Sequence, residues 1–243
     1  NCINSILTPN HQLPLFNGST NFQLEEFYHY VLQLGYKFGK PKLNIGNFQI
    51  IKNKKNTIYF DVGEAPKKKF SSEYQAGPLS FEYFIESKKI ITNCGFGFNI
   101  SKKAMLLSRL TSAQSTVSIN DTSVIKFERN KLINKVFGNS IKKGFKVFDH
   151  SHSDDEIEVK SSAGHNAYEK IFNCIHKREI KIVKKDNIIL GMDEIIKKNH
   201  KLKAKFNIRF HLSPNIEAVQ TLGGKTILIQ FKKNKSLIFT SDR

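Results

Sequence analysis

Two short stretches of this sequence bring together side chains that can transfer protons and bind anions. The first holds His165 and Tyr168, and the second holds His176 and Arg178. Imidazole exchanges protons near neutral pH, whereas guanidinium pairs with carboxylates through its planar fork. One interpretation is a polar cluster that contacts a ligand or orients a catalytic group. The other, which the sequence favours slightly, is a structural network that fixes the turn from His165 to Tyr168.

Two other places hold histidines that could take part in chemistry. Arg209 and His211 fall on the exposed face of a predicted strand whose other face is expected to be core, and the exposed face suits a ligand cleft or domain interface as well as it suits plain solvation. His150 and His152 lie among aspartates in residues 149–155, where a divalent ion has possible ligands. Because His-x-His in a loop lacks a fixed third ligand, we predict a solvated surface loop there instead.

The chain is strongly basic, with a formal net charge of +18. Such a charge attracts polyanions such as acidic polysaccharides or nucleic acids. Only five of the 39 basic residues are Arg, however, and the Lys residues are spread along the whole chain. This distribution favours a general compositional bias over a specific anion site. No RNA-binding strand motif or helix-turn-helix is found, so nucleic acid is an unlikely partner.

The hydrophobic patterning predicts one helix followed by many strands. Thr20 and Gln23 form a capping-box pattern, and the apolar spacing after them predicts a helix over residues 21–34. Beyond residue 45, apolar and polar residues alternate between recurring turn signals. The strands predicted in this way include residues 58–62, 79–86, 89–93, 117–120 and 204–210, with a hairpin turn at 222–225. The pattern predicts an all-β fold, a large two-layer antiparallel β-sandwich with one short N-terminal helix. No stretch approaches the roughly 18 apolar residues that span a bilayer, so no membrane partner is expected.

A series of motifs, taken in order, resembles the heparinase II/III family of polysaccharide lyases. These motifs are Leu15-Phe16-Asn17-Gly18, Phe60-Asp61-Val62-Gly63-Glu64, Ala76-Gly77-Pro78-Leu79-Ser80-Phe81-Glu82, Asn93-Cys94-Gly95, the run from Arg109 to Val117, His165-Asn166-Ala167-Tyr168, His176-Lys177-Arg178, Gly191-Met192-Asp193, and the run from Arg209 to Pro214. Each motif is weak alone, but their order and spacing over about residues 13–231 are fairly specific.

The resemblance implies a longer parent protein with two parts. An N-terminal α/α toroid would precede this sandwich and supply a catalytic tyrosine. Residues 1–20 would be the remnant of the connection, and residues 21–243 would be the sandwich, ending before the family's last strands. The implied partners are this toroid and an acidic polysaccharide. The implied compartment is the periplasm or cell envelope.

The resemblance also implies a reaction, which is β-elimination on uronic-acid-containing polysaccharides. A base removes the proton next to the uronate carboxyl while a proton donor assists the leaving oxygen. The family sandwich contributes a catalytic His, whose position falls near Glu73. The residues expected to face the cleft are His165, Tyr168, His176, Arg178, Arg209 and His211.

A structural zinc site, made from two His and one Asp, belongs to the same resemblance. Its positions fall on Gln75, Asn93 and Gln114. Amides bind zinc far more weakly than imidazole or carboxylate. We therefore expect no zinc and no other cofactor, and we expect the three amides to hydrogen-bond to one another.

Two functions follow as hypotheses. The first is the C-terminal domain of a heparinase II/III-like lyase, with the isolated chain inactive. The alternative is a non-catalytic glycan-binding or structural sandwich that has lost the metal and catalytic residues.

Overall fold

The computed structural model describes residues 2–20, 24–37, 39–197 and 204–242. Strands dominate this part of the chain. Its strands are β1 (Asn44–Ile45), β2 (Phe48–Lys52), β3 (Asn56–Asp61), β4 (Phe81–Ile85), β5 (Lys88–Thr92), β6 (Val117–Ile119), β7 (Val147–Asp154), β8 (Glu158–His165), β9 (Cys174–Val183), β10 (Ile188–Lys197), β11 (Phe206–Ile208), β12 (His211–Leu212), β13 (Glu217–Gln220), β14 (Thr226–Lys232) and β15 (Lys235–Thr240). Its α-helices are α1 (Cys2–Ile6), α2 (Glu25–Gln33), α3 (Lys102–Leu107), α4 (Lys131–Phe137) and α5 (Glu169–Phe172).

Two antiparallel sheets form the layers of the sandwich. The larger has six strands in the order β1-β2-β3-β4-β5-β12, and the smaller has four in the order β10-β9-β8-β7. A ribbon of β11 and β6 and a three-stranded sheet of β13, β14 and β15 extend these layers. The arrangement confirms the predicted all-β antiparallel sandwich.

A continuous hydrophobic core lies between the two layers. Ile51, Ile58 and Phe60 enter it from the six-stranded sheet, and Val159 and Ile182 enter it from the four-stranded sheet. All five are fully buried. Burial of a side chain of this size contributes about 1.5–3 kcal/mol. This alternation of inward apolar residues is what holds the two sheets together.

The N-terminal segment covers the opposite face of the larger sheet. Phe16 packs in a second cluster with Ile50, Tyr59 and Phe84, and the Tyr59 hydroxyl donates to the Leu7 carbonyl at 2.7 Å. Strand β3 is therefore buried at all of its positions, with one face on the core and the other under this segment. Residues that the resemblance assigns to a connection are thus packed on the sandwich.

The described residues contain more helix than the single helix predicted. That helix corresponds to α2, which begins at Glu25 after Leu24 and has no side-chain cap. Residues 21–23, which include Gln23 of the predicted capping box, lie outside the described residues. The other helices have at most seven residues, too few for apolar spacing to reveal them. Within the described ranges, none of the helices is long and apolar enough to cross a membrane.

The predicted surface loop at residues 150–155 is wrong, because most of this run is strand. Strand β7 runs to Asp154 and pairs with β8, and His152 Nδ1 lies 2.6 Å from Ser161 Oγ. Its polar side chains are tolerated because β7 is an edge strand. In the part of the chain that the structure describes, no group of three or more His, Cys, Asp or Glu could hold a metal ion.

The predicted strand over residues 204–210 is shorter and more exposed than expected. Only β11 forms there, and the side chains of Phe206 and Ile208 are 54% and 39% exposed. The expectation that one face of this strand is core is wrong. Alternation identifies which side chains share a face, but it does not identify what covers that face.

Candidate functional site

Strand register brings the histidines together with an arginine and an aspartate. His165 in β8 lies opposite His176 in β9, and Arg178 in β9 lies opposite Asp193 in β10. Side chains along β9 alternate between buried and partly buried, so His176 and Arg178 both point into the core. The four side chains therefore form one group across three neighbouring strands.

A continuous hydrogen-bond chain joins these four residues. His165 Nε2 lies 3.1 Å from His176 Nδ1, and His176 Nε2 lies 2.7 Å from Asp193 Oδ1. Arg178 holds the same carboxylate with two bonds, Nε to Oδ1 at 2.7 Å and Nη2 to Oδ2 at 3.0 Å. This bidentate geometry gives an arginine–carboxylate pair its strength and orientation. We call these four residues the buried polar chain.

The partners fix the tautomer of each imidazole in the buried polar chain. His176 Nε2 donates to Asp193, because an ionised carboxylate only accepts. Neutral His176 then accepts at Nδ1 from the N–H at His165 Nε2. His165 Nδ1 in turn accepts from the backbone N–H of Ala167 at 3.2 Å. One arrangement of protons satisfies every imidazole nitrogen of the buried polar chain.

The charge states agree with this arrangement. Burial lowers the pKa of His165 well below its usual value, and the charges of His176 and Arg178 act in the same direction. Burial also lowers the pKa of His176, although its bond to Asp193 opposes this effect. Burial alone would raise the pKa of Asp193. The charge of Arg178 and the bonds from His176 and Arg178 outweigh burial and hold that pKa below its usual value. The buried polar chain therefore contains two neutral imidazoles and one ion pair.

The buried polar chain lies inside the sandwich rather than along a cleft. His165 and His176 are fully buried, and Arg178 is 2% exposed. The Arg178 Nη1 atom donates across the core to the carbonyls of Leu79 and Ser115, at 2.8 and 3.1 Å. This position differs from the predicted one facing a cleft. In this geometry the arginine links the four-stranded sheet to the opposite layer.

Tyr168 is buried in the same way. Its hydroxyl donates to the carbonyl of Val117 at 3.1 Å and lies 3.4 Å from that of Thr122. Its ring packs 5.8 Å from the ring of His165, measured between centroids. Burial raises the pKa of Tyr168, so the phenol is held protonated. The geometry of His165 and Tyr168 thus follows the structural interpretation of this motif.

Arg209 and His211 remain partly exposed. Arg209 Nη2 pairs with Asp121 Oδ1 at 2.7 Å, and Nη1 bonds the Ser118 hydroxyl. His211 Nε2 lies 3.0 Å from the carbonyl of Ser112. Of the six predicted cleft residues, these two alone keep part of their side chains accessible in the described structure.

The three amides at the predicted metal positions bond to the backbone, not to one another. Gln75 Nε2 donates to the carbonyls of Gly95 and Ser108 at 2.9 and 3.0 Å, and Gln75 Oε1 accepts from the N–H of Gly18 at 3.1 Å. Gln114 Nε2 donates to the same Ser108 carbonyl at 2.8 Å. The expectation of mutual hydrogen bonds is wrong, because the carbonyls of Gly95 and Ser108 lie within reach of the amide donors.

Asn93 is held differently from the two glutamines. Its Oδ1 accepts from the N–H of Ser115 at 2.8 Å, whereas its buried Nδ2 has no partner in the described structure. The backbone N–H of Asn93 donates to Glu82 Oε1 at 3.1 Å, and the other carboxylate oxygen lies 3.0 Å from Lys89 Nζ. A buried ion pair therefore fixes the strand end that carries Asn93.

A model of the heparinase II/III-like C-terminal family matches residues 38–243. This range includes both sheets, the buried polar chain and the three amides. The chain belongs to this family. No curated protein matches the chain.

Solved structures share the heparinase-like sandwich fold. The heparan sulfate lyase HepC from Pedobacter heparinus aligns with a TM-score of 0.70 at 15% identity, over 98% of this chain and 38% of that one. A mutant of the same lyase gives 0.71 at 14% identity with the same coverage. A structure of heparinase III gives 0.66 at 15% identity, again over 98% and 38%. Identity at this level shows the fold alone, and the chain spans well under half the length of these structures.

The amides of this heparinase-like sandwich do not fit the zinc that the resemblance implies. Zinc needs lone pairs from imidazole, thiolate or carboxylate groups. Gln75 and Gln114 instead direct N–H donors at the carbonyl of Ser108. The remaining oxygens of Gln75 and Asn93 already accept backbone N–H bonds. The donor set therefore suits hydrogen bonding between chain segments and not coordination of a metal.

Glu73, near which the resemblance places the family's catalytic His, lies on the surface of the heparinase-like sandwich. A side chain at Gly18 would place its Cβ 3.0 Å from Glu73 Cβ, and Gly18 has a positive φ of 92°. Glycine is therefore required where the N-terminal segment passes Glu73. The exposed carboxylate of Glu73, two positions before Gln75 in the sequence, therefore lies against the N-terminal segment.

The sequence predicted no role for two charged residues of the site. One is Asp193 in the buried polar chain. The other is Arg109, which donates to the carbonyls of Tyr74, Asn139 and Ser71 at 2.9, 2.6 and 2.7 Å. Burial lowers the pKa of Arg109 to about 10. Charged residues are buried only with partners, and the sequence did not show which groups would be the partners of these two.

Proposed function

We propose that this chain is the C-terminal sandwich of a polysaccharide lyase that cleaves uronic-acid-containing glycans by β-elimination. The observation that carries the proposal is the family match over residues 38–243. The likeness in fold to a heparan sulfate lyase supports the substrate class. The net charge of +18 suits an acidic glycan, because it raises the local concentration of polyanions.

The proposal divides the catalytic work between this chain and the rest of a longer parent. The solved structures with this fold extend well beyond the sandwich, which leaves room for an N-terminal toroid. Of the residues predicted for the site, Glu73, Arg209 and His211 are accessible. In the proposal these three face the glycan, whereas the buried polar chain supports them from within. The isolated chain is inactive because it lacks the toroid's proton-transferring groups.

The proposal includes no zinc and no other cofactor. The exclusion of zinc rests on Gln75 and Gln114, whose side-chain N–H groups donate to the carbonyl of Ser108. Periplasm or cell envelope is the proposed compartment, since acidic polysaccharides are met outside the cytoplasm.

A second candidate is a non-catalytic sandwich that binds glycan or supports another domain. The full burial of His165 and His176 favours it, because neither imidazole reaches a substrate in this geometry. The carboxylate of Glu73, near the position implied for the catalytic His, also favours this candidate. Under this alternative the parent binds acidic glycans without cleaving them.

The experiment that tests the proposal follows the ultraviolet absorbance of unsaturated uronate. The longer parent protein is incubated with heparan sulfate, alginate and chondroitin sulfate, and with dextran as a carboxyl-free control. We expect absorbance to rise on at least one uronate polysaccharide and to stay flat on dextran, because elimination needs the acidic proton beside a carboxyl group. We expect the 243-residue chain alone to give no rise. A folded parent that binds these glycans without any rise would contradict the proposal and support the second candidate.

A further inference from the structure

A polar cavity of about 300 Å³ opens at one edge of the sandwich. Its walls come from the turn between β1 and β2, from the chain just after β3, and from β7. The residues that line it are Asn44, Gly46, Asn47, Gln49, Val62, Glu64 and His150. The volume lies at the lower end of small-molecule sites, roughly 300–1,000 Å³.

The cavity is built by specific backbone contacts. The N–H of Val62 donates to the carbonyl of Asn47 at 2.9 Å and ties the turn to the end of β3. A Cβ on Gly63 would lie 2.8 Å from the Cβ of Asn47, so glycine permits this close approach. Gln49 shares its strand face with Ile51, which is in the core between the layers. The side chain of Gln49 therefore lies on the core side of β2.

The decisive observation is an unsatisfied acceptor on a residue that lines this cavity. Gln49 is 3% exposed, and its Oε1 has no hydrogen-bond partner in the described structure. A buried acceptor left without a donor costs about 1–3 kcal/mol. Such a group needs a reason to persist, and a ligand that donates a hydrogen bond supplies one.

The other lining groups define the class of that ligand. Asn44 and Asn47 offer amides, Glu64 offers a carboxylate and His150 an imidazole. Among the described residues no Lys or Arg lines the cavity, and the Glu64 carboxylate would repel an anion. Amides and carboxylates together match hydroxyl groups, which both donate and accept.

We propose that this cavity binds one neutral, polyhydroxylated sugar unit, whose hydroxyl donates to Gln49 Oε1. The choice of a sugar rests on the proposed function, because a uronate polysaccharide such as heparan sulfate alternates uronate with amino sugars, some of which are uncharged. The cavity would take the uncharged unit, while the positive surface of the chain attracts the charged one. The site uses none of the groups placed above on the glycan-facing surface.

The test is nuclear magnetic resonance of the isotope-labelled 243-residue chain. N-acetyl-D-glucosamine is titrated as the neutral probe, with D-glucuronate as the anionic comparison. We expect saturable shifts of the Gln49 side-chain amide and the Asn47 backbone amide with the neutral sugar. We expect at least ten-fold weaker binding of glucuronate.

Variants connect the binding to the unsatisfied acceptor. Gln49→Leu keeps the shape and removes the acceptor, so we expect at least ten-fold weaker binding with no loss of thermal stability. Asn47→Ala keeps the Cβ that packs on Gly63 and is expected to weaken binding as well, which covers the case in which the first variant does not fold. Gln220→Leu, at an exposed position outside the cavity, is expected to bind as the parent chain does.

Several results would overturn the inference. One is the absence of shifts at Gln49 and Asn47 with any sugar. Another is a response to calcium chloride alone, which would assign the oxygens to a cation. A third is unchanged binding in both Gln49→Leu and Asn47→Ala. Sugar binding is read here without any cleavage, so failure of this inference is distinguishable from failure of the proposed lyase activity.

Discussion

Replacing Asp193 with alanine is expected to lower the free energy of unfolding by about 3–5 kcal/mol. The substitution removes the carboxylate that accepts from both His176 and Arg178. Arg178 is 2% exposed, so its charge would remain buried without a counterion. For a chain of this size the loss corresponds to a fall in melting temperature of roughly 10 °C. Differential scanning calorimetry at neutral pH measures it.

Two variants serve as controls for Asp193→Ala. Asp186→Ala removes an exposed carboxylate in the turn between β9 and β10, and its melting temperature is expected to stay within the error of the parent chain. The double variant Arg178→Met, Asp193→Leu replaces both charges with apolar groups and is expected to recover part of the stability. Equal melting temperatures for Asp193→Ala and Asp186→Ala would contradict the burial of this ion pair.

Arg109→Met is expected to destabilise the chain by a similar amount, about 3–5 kcal/mol. Three carbonyls in two segments, residues 71–74 and Asn139, would lose their donor at once. A hydrogen bond to a charged group contributes about 1.5–3 kcal/mol, and three bonds that share one guanidinium do not add in full. The guanidinium also lies 4.1 Å from the ring centroid of Phe127. Methionine keeps the apolar stem and so isolates the loss of the donors. Urea unfolding measures the change.

Arg129→Met is the matched control for Arg109→Met. Arg129 is exposed, and its substitution is expected to change the free energy of unfolding by less than about 0.5 kcal/mol. If both variants unfolded at the same urea concentration, Arg109 would not be joining these segments, and the geometry described for it would be contradicted.

The layers of the fold were predictable because their signal is local. Hairpins such as β4–β5 and β13–β14 follow from alternation between turn residues, and both pair in antiparallel register. The order of strands was not predictable from alternation. Strand β12 pairs with β5, more than a hundred residues earlier, and no local pattern indicates that pairing.

The site was harder to predict than the fold. His165 and His176 looked like candidates for chemistry because their types allow it, but their exposure depends on which strand face meets the core. The bonds of Gln75 and Gln114 depend on the position of the Ser108 carbonyl, more than thirty residues from Gln75. Sequence located these residues, and only tertiary packing determined their partners.

The most direct test measures the melting temperature of the 243-residue chain with and without a strong chelator, and also measures how much zinc the chain binds. Gln75, Asn93 and Gln114 join chain segments through hydrogen bonds where the family resemblance implies zinc. We therefore expect no stoichiometric zinc and the same melting temperature under both conditions. One zinc per chain, with a melting temperature that falls on chelation, would contradict this expectation.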